Sequence, residues 1–106
     1  LLRFTINLKT GESEGDDIAF HINPRIGDVV VLNSFRNGSW EEEEHASITA
    51  FSKEAALNMF IVISSEGYEV FVNGLRQFTF KHRFPVEVVS TLDISGDVTI
   101  NYFGFV

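Results

Sequence analysis

Residues 68–80 read YEVFVNGLRQFTF, and this stretch decides the fold class. Asn73-Gly74 tolerates positive φ at both central positions of a two-residue turn. The residues on either side are rich in β-branched and aromatic types, which pack well on a pleated surface. The stretch therefore predicts an antiparallel hairpin with strands over residues 68–72 and 75–80.

The same strand pattern recurs along the rest of the chain. Residues 2–8 alternate apolar and polar types, as a half-buried strand does, and residues 59–63 are apolar throughout, which indicates coverage on both faces. The predicted strands are 2–8, 18–25, 29–33, 43–51, 57–64, 68–72, 75–80, 85–93 and 98–105. Their order predicts an all-β fold, an antiparallel sandwich of two sheets.

Length and composition exclude several classes of protein. The chain has 106 residues, of which 44% are hydrophobic and 22% charged, so one small domain is expected. A net charge of −7 has the wrong sign for a phosphate-neutralising surface, and nucleic acid is not an expected partner. The chain has no cysteine, which excludes a disulfide framework and a thiol nucleophile. Its apolar runs are far shorter than the roughly 20 residues that span a bilayer, so membrane insertion is not expected.

A row of polar side chains lies on the predicted second strand. Because side chains alternate along a strand, residues 20–25 place His21, Asn23 and Arg25 on one face, with Phe20 and Ile22 on the other. A row of this kind is as typical of a solvent-facing strand as of a binding surface.

Trp40, the only tryptophan, indicates a binding site more strongly. Asn37-Gly38-Ser39 precedes it and the four glutamates of residues 41–44 follow it, a setting that predicts an indole near solvent. An exposed aromatic ring beside a row of hydrogen-bonding side chains is typical of ligand binding. The glutamate run itself is interpreted as a solvated loop.

These residues resemble the sugar-binding signature of the galectins, His-x-Asn-Pro-Arg, Val-x-Asn and Trp-x-x-Glu-x-Arg. The three parts are here His21-Ile22-Asn23-Pro24-Arg25, Val31-Leu32-Asn33 and Trp40-Glu41-Glu42-Glu43-Glu44-His45. The similarity continues in Val72-Asn73-Gly74, His82-Arg83-Phe84-Pro85 and Gly96-Asp97-Val98-Thr99-Ile100. Family members usually have further strands before the position of Leu1. The chain therefore looks like one galectin-type carbohydrate-recognition domain, residues 1–106, without its first strands.

The resemblance implies a jelly-roll sandwich that binds β-galactosides in a groove on its concave sheet, without metal, cofactor or catalysis. Trp40 would stack on the apolar face of galactose, and His21, Asn23 and Arg25 would meet the axial 4-hydroxyl. The expected ligands are glycans of the lactose or N-acetyllactosamine type, carried by glycoproteins or glycolipids. The family also implies a cytoplasmic and extracellular location through unconventional secretion, and homodimers or tandem domains.

By the same resemblance, Asn33 and Glu43 would bind the 6-hydroxyl, and Glu43 would also orient Arg25. The signature departs at its last position, where the family has arginine and this chain has His45. Histidine is shorter and carries no permanent charge, so affinity for lactose-type disaccharides is expected to fall by about ten- to a hundredfold, or ligand preference to change. His45 shares strand parity with Glu43 and is expected to face the groove, whereas Trp40 needs a bulge or bend between residues 40 and 43 to reach the same side.

Two other functions stay open. A galectin-fold module with a weakened or lost sugar site would act through protein contacts, and His45 is its main support. A jelly-roll glycosidase would need two facing carboxylates, but adjacent glutamates alternate faces, and an enzyme is not predicted.

Outside the signature, His82-Arg83 is interpreted as a surface turn, and Arg36 as a cation that replaces part of the missing charge.

Overall fold

The computed structural model describes residues 2–47 and 56–105. This part of the chain contains one 3-10 helix, Val86–Val88, and no helix in it is long and apolar enough to cross a membrane. Its strands are β1 Phe4–Lys9, β2 Ile18–Pro24, β3 Val30–Arg36, β4 Ser39–Trp40, β5 Glu44–Ala46, β6 Met59–Ile63, β7 Gly67–Val72, β8 Leu75–Lys81 and β9 Thr91–Gly96.

The strands form two antiparallel sheets. The larger sheet has the order β4-β3-β2-β1-β9, with β5 also paired to β3, and the smaller sheet has the order β6-β7-β8. The predicted hairpin joins β7 to β8, with positive φ of 52° at Asn73 and 86° at Gly74. The all-β prediction is therefore confirmed, as a jelly-roll β-sandwich.

The core lies between the two sheets, because alternate residues of each strand point inwards. Ile6, Ile22 and Leu32 are in register across β1, β2 and β3, and all three are buried. Phe20 stacks on Tyr68 and on Phe80 of the smaller sheet, with ring centroids 5.0 and 4.5 Å apart. Because these rings are buried between the sheets, the side chains on the opposite face of β2 point away from the core.

Polar residues cross that outer face of the larger sheet at one register. Asn33 of β3 is opposite His21 of β2, which is opposite Asn7 of β1, which is opposite Asp93 of β9. The row that the sequence predicts along β2 is therefore also a row across four strands.

Three predicted strands differ from the structure. Residues 98–105 form no strand, because β propensity alone does not pair a segment with a sheet. The predicted strand 85–93 is divided between the 3-10 helix and β9, which starts at Thr91. Of the predicted strand 43–51, only Glu44–Ala46 is a strand, and residues 48–51 lie outside the described residues.

The expectation that residues 59–63 are covered on both faces is wrong. Phe60 is 53% exposed, and Val62 and Ile63 are also exposed. Only one face of the smaller sheet packs on the larger one, and β6 is an edge strand among the described residues. Continuous apolar character therefore overstates how much of this strand is covered.

Candidate functional site

A cavity of about 370 Å³ opens on the polar face of the larger sheet. It is lined by six of the seven predicted binding residues, namely His21, Asn23, Arg25, Asn33, Trp40 and Glu43. Val31 and Glu41 complete the lining. The sheet thus brings residues from β2, β3 and the segment after β4 to one place, although they are distant along the chain.

Trp40 ends β4 with its side chain half exposed, at 52%. Its ring lies against the ring of His21, with centroids 4.6 Å apart, and meets the edge of Phe35 at 5.1 Å. These two contacts hold the indole at the side of the cavity. The indole lies near solvent, which agrees with the expectation from its polar setting.

One extra residue between β4 and β5 brings Trp40 and Glu43 to the same cavity. Trp40 is in register with Phe35, and Glu44 is in register with Leu32, so four steps along this segment oppose three along β3. This two-against-one count is a β-bulge, which bends the strand and re-aims its side chains. The bulge expected from strand parity is present.

His21 has a defined tautomer. Its Nδ1 lies 2.7 Å from Oδ1 of Asn7. An amide oxygen can only accept, so Nδ1 carries the proton and Nε2 is left as an acceptor. Burial lowers the pKa of His21, and the Arg25 guanidinium lowers it further, against a smaller opposite effect of Glu43. The imidazole is therefore neutral at pH 7.

Asn23 and Arg25 have complementary hydrogen-bonding capacity. Nδ2 of Asn23 donates to the Phe4 carbonyl at 2.8 Å and to Thr5 Oγ1 at 3.4 Å, and its Oδ1 accepts from Arg25 Nε at 3.2 Å. Because Asn23 uses its amide protons inside the protein, it offers a ligand only its oxygen. Arg25 keeps both Nη groups as donors with respect to the described residues.

The amide of Asn33 is held from three sides. Its Oδ1 accepts from the Ser34 backbone N–H at 2.8 Å and from Arg83 Nη1 at 3.1 Å, and its Nδ2 donates to the Glu41 carbonyl at 3.2 Å. Two donors at Oδ1 determine which end of the amide is oxygen. One N–H of Nδ2 remains for a ligand.

Glu43 contacts His45 rather than Arg25. Nε2 of His45 lies 2.5 Å from Oε1 of Glu43, whereas Nε of Arg25 donates to Asn23. The Cα of His45 is in register with Val31, which lines the cavity, but the exposed imidazole stands at the rim and is not part of the lining. The expected Glu43–Arg25 contact is therefore not made.

The acidic run is more structured than a solvated loop. Glu41 accepts from Ser34 Oγ at 2.7 Å and from Arg36 Nε at 3.1 Å, and these contacts, the serine hydrogen bond first, lower the pKa of Glu41. Glu44 forms an ion pair with Arg83 at 2.8 Å. The Arg36 guanidinium pairs with Glu41 and donates to the Arg83 carbonyl. It therefore does not supply the cation that the signature lacks.

Sequence reasoning missed the parts played by Asn7 and Arg83. Strand alternation predicts that Asn7 lies on the polar face of the first strand, but it does not indicate the contact with His21. Arg83 follows β8, as the turn interpretation implies, but its guanidinium reaches Asn33 and Glu44 instead of solvent. The available signal was the His82-Arg83-Phe84-Pro85 segment, which belongs to the family resemblance.

Comparison with known sequences agrees with this geometry. Residues 2–105 match the sequence profile of the galactoside-binding lectins. Galectin-4 of Bos taurus is 41% identical over 106 residues, which cover 98% of this chain and 32% of that protein. Galectin-6 of Mus musculus is 44% identical over 101 residues, which cover 93% of this chain and 33% of that protein. The chain thus spans about a third of the length of these two relatives.

A smaller relative and a solved structure agree over most of their own length. Galectin-7 of Homo sapiens is 35% identical over 100 residues, which cover 93% of this chain and 74% of that protein. The structure of sheep galectin-11 in complex with glycerol superposes with a TM-score of 0.85 at 32% identity, covering 90% of this chain and 71% of that one. The chain belongs to the galactoside-binding lectin family, the galectins.

Proposed function

We propose that this chain is a lectin domain that binds β-galactosides in the cavity on its larger sheet. The observation that carries the proposal is the half-exposed indole of Trp40, which lies against His21 in the same cavity as Arg25. An aromatic plate beside directed polar groups suits a sugar, which has an apolar C–H face and a rim of hydroxyls.

The hydrogen-bonding inventory supports a hydroxyl as the recognised group. A hydroxyl both donates and accepts, and His21 Nε2 is an acceptor beside the Nη donors of Arg25. The axial 4-hydroxyl of galactose would accept from Arg25 and donate its one proton to His21 Nε2 or, alternatively, to Asn23 Oδ1. Glucose presents this oxygen elsewhere, and each buried polar group left unpaired costs about 1–3 kcal/mol.

The remaining lining residues suit the 6-hydroxyl. Asn33 has one N–H left to donate, and Oε2 of Glu43 is available to accept, since Oε1 is taken by His45. Trp40 covers the C–H face on the other side of the ring. The chemistry of these groups is that of reversible binding, and galectins are lectins rather than enzymes.

The proposal extends to ligand and assembly. Residues 1–106 act as one carbohydrate-recognition domain for lactose and N-acetyllactosamine-type glycans on glycoproteins or glycolipids, in the cytoplasm and outside the cell. His45 lowers affinity for the disaccharide about ten- to a hundredfold relative to arginine. A shallow site of this kind binds weakly alone, so homodimers or tandem domains would supply crosslinking.

Retention on immobilised lactose tests the proposal. The protein should be retained, free lactose should elute it, and cellobiose, with glucose in place of galactose, should not. Trp40→Ala should abolish retention, whereas Tyr102→Ala, which removes a 90% exposed aromatic ring elsewhere, should leave it intact. Equal elution by cellobiose, or retention of Trp40→Ala, would contradict a galactoside site.

One observation favours a second function. His45 is at the rim and makes its contact with Glu43, so the site lacks the guanidinium that the family has there. If the folded protein passes through the lactose column unretained, a galectin-fold module that acts through protein contacts is the better description.

A further inference from the structure

We propose that Arg83 is a positioning residue of the sugar site, which fixes the Asn33 amide so that it donates to the ligand 6-hydroxyl. The inference rests on the proposed function for the identity of the ligand. Its structural basis is independent of that function, because the guanidinium contacts Asn33 and the segment that follows Trp40, which are contacts within the protein itself.

Arg83 reaches the site from the opposite sheet. It follows β8, and its Nη1 donates to Asn33 Oδ1 at 3.1 Å and to Ser34 Oγ at 2.8 Å. Its Nη2 donates to the Glu42 carbonyl at 2.7 Å and to Glu44 Oε2 at 2.8 Å. One guanidinium thus ties β3 to both the bulge and β5.

Arginine is the residue type that this arrangement requires. Four of its five N–H groups are used, in the planar fork that lysine lacks. The guanidinium also lies 4.6 Å from the centre of the buried Phe80 ring, and the side chain is only 19% exposed. A cation held by a ring and four acceptors loses little entropy when ligand binds.

The orientation of the Asn33 amide determines which group it offers to a ligand. A flipped amide would set Nδ2 against the Arg83 and Ser34 donors, so Oδ1 must face them. Nδ2 is then directed at the Glu41 carbonyl and at the cavity, where it requires a ligand oxygen that accepts. Without Arg83, Oδ1 keeps one donor, and both the amide and the acidic segment gain freedom to move.

Ligand pairs that differ only in the 6-hydroxyl separate this role from general support of the fold. Calorimetry would give Kd for lactose and for 6′-deoxylactose, with Tm measured on each variant. Wild type should bind lactose about tenfold more tightly than 6′-deoxylactose. Arg83→Lys should bind lactose about tenfold more weakly than wild type does, and should favour lactose over 6′-deoxylactose by less than about threefold. Glu44→Gln, which removes one anchor of Arg83, should shift the preference in the same direction and tests the idea if Arg83→Lys does not fold.

Arg76→Lys is the matched control. Arg76 pairs with Glu69 at 3.0 Å on the smaller sheet and touches no lining residue among those described, so both affinities should be unchanged. A full 6-hydroxyl preference in folded Arg83→Lys would overturn the inference.

A spectroscopic readout distinguishes this failure from failure of the proposed function. The side-chain NH₂ resonances of Asn33 should be sharp in ligand-free wild type and broadened by rotation in Arg83→Lys. If wild type binds no lactose, the proposed function fails, and broadening in Arg83→Lys alone would still support the positioning of Asn33. Unchanged Asn33 resonances in that variant would overturn it.

Discussion

Asn7 determines the tautomer of His21, because its Oδ1 lies 2.7 Å from Nδ1 of the imidazole. The two residues are directly opposite each other on the neighbouring strands β1 and β2. Asn7 is not among the residues that line the cavity, yet it determines which nitrogen of His21 can accept from a ligand. The candidate site therefore extends one strand beyond the residues that line it.

The first prediction is that Asn7→Ala weakens lactose binding without unfolding the protein. Loss of the Nδ1 partner lets the ring adopt the other tautomer, in which Nε2 donates and the hydroxyl proton loses His21 as its acceptor. We expect affinity to fall by about tenfold, measured by calorimetry, with Asn7→Asp retaining most of it because a carboxylate also accepts from Nδ1. Asn101→Ala, an exposed asparagine away from the sheet, is the control. Equal affinity of Asn7→Ala and Asn101→Ala would contradict the role.

A second prediction concerns pH. Burial and Arg25 place the pKa of His21 below its usual 6.5, so the imidazole is neutral in both folded and unfolded chains above that pH. As the pH falls below 6.5, the unfolded chain takes up this proton before the folded one, and the free energy of unfolding decreases. Lactose affinity should fall only as the pH drops through the lowered pKa of His21 in the folded protein, below 6.5, because binding needs the Nε2 lone pair.

Measurement in His45→Gln makes this prediction specific to His21, since the other imidazole at the site is then removed. The ring proton signals of His21 in an NMR titration give its pKa directly. A midpoint above 6.5 would show that burial does not govern this group.

The sequence predicts those features of the site that depend on local rules. Strand alternation places His21, Asn23 and Arg25 on one face, and the positive φ that Asn73-Gly74 tolerates predicts the hairpin. The bulge after Trp40 also follows from parity. These are properties of one strand or one turn, and neighbouring residues are enough to indicate them.

The parts that the sequence does not predict depend on contacts between distant segments. Arg83 meets Asn33 across 50 residues, and neither strand period nor turn chemistry relates the two. The same cause explains the error at residues 98–105, where β propensity is high but the segment pairs with neither described sheet. The resemblance implies that Glu43 orients Arg25. In the structure, Nε of Arg25 instead donates to Asn23, because these two residues are neighbours on one strand face.

A third prediction uses Trp40 as its own probe. It is the only tryptophan and is half exposed, so its fluorescence reports the cavity alone. Lactose should reduce quenching by acrylamide roughly twofold, since the sugar covers the open part of the indole, and cellobiose should have little effect. Phe35→Leu, which removes the ring edge that supports the indole, should weaken this protection. Equal protection by both sugars would mean that the indole binds sugars without selecting galactose.

His45→Arg is expected to strengthen lactose binding about ten- to a hundredfold, because a permanent guanidinium can pair with Glu43 and still reach a second sugar. His45→Lys separates charge from geometry, and should gain less because an ammonium lacks the planar fork. Calorimetry on the three proteins gives the comparison. If arginine brings no gain, the rim position does not limit affinity, and the cause of weak binding lies in the cavity itself.

The last prediction concerns Ser34, which links the acidic segment to Arg83. The residue is fully buried, its Oγ donates to Glu41 Oε1 at 2.7 Å and it accepts from Arg83 Nη1 at 2.8 Å. Ser34→Ala should lower the free energy of unfolding at neutral pH by about 1–3 kcal/mol, because a donor and an acceptor lose a buried partner. Denaturant unfolding measures this, with the exposed Ser95→Ala as the control.

The pH dependence of that loss identifies the contribution of Glu41. The serine hydrogen bond lowers the pKa of Glu41 below its usual 4.5, so the stability it contributes is present above pH 4.5 and is lost as the pH falls through the lowered value. The difference between wild type and Ser34→Ala should therefore be largest near neutral pH and smaller in acid. A difference that does not change with pH would assign the whole effect to Arg83 and none to the carboxylate.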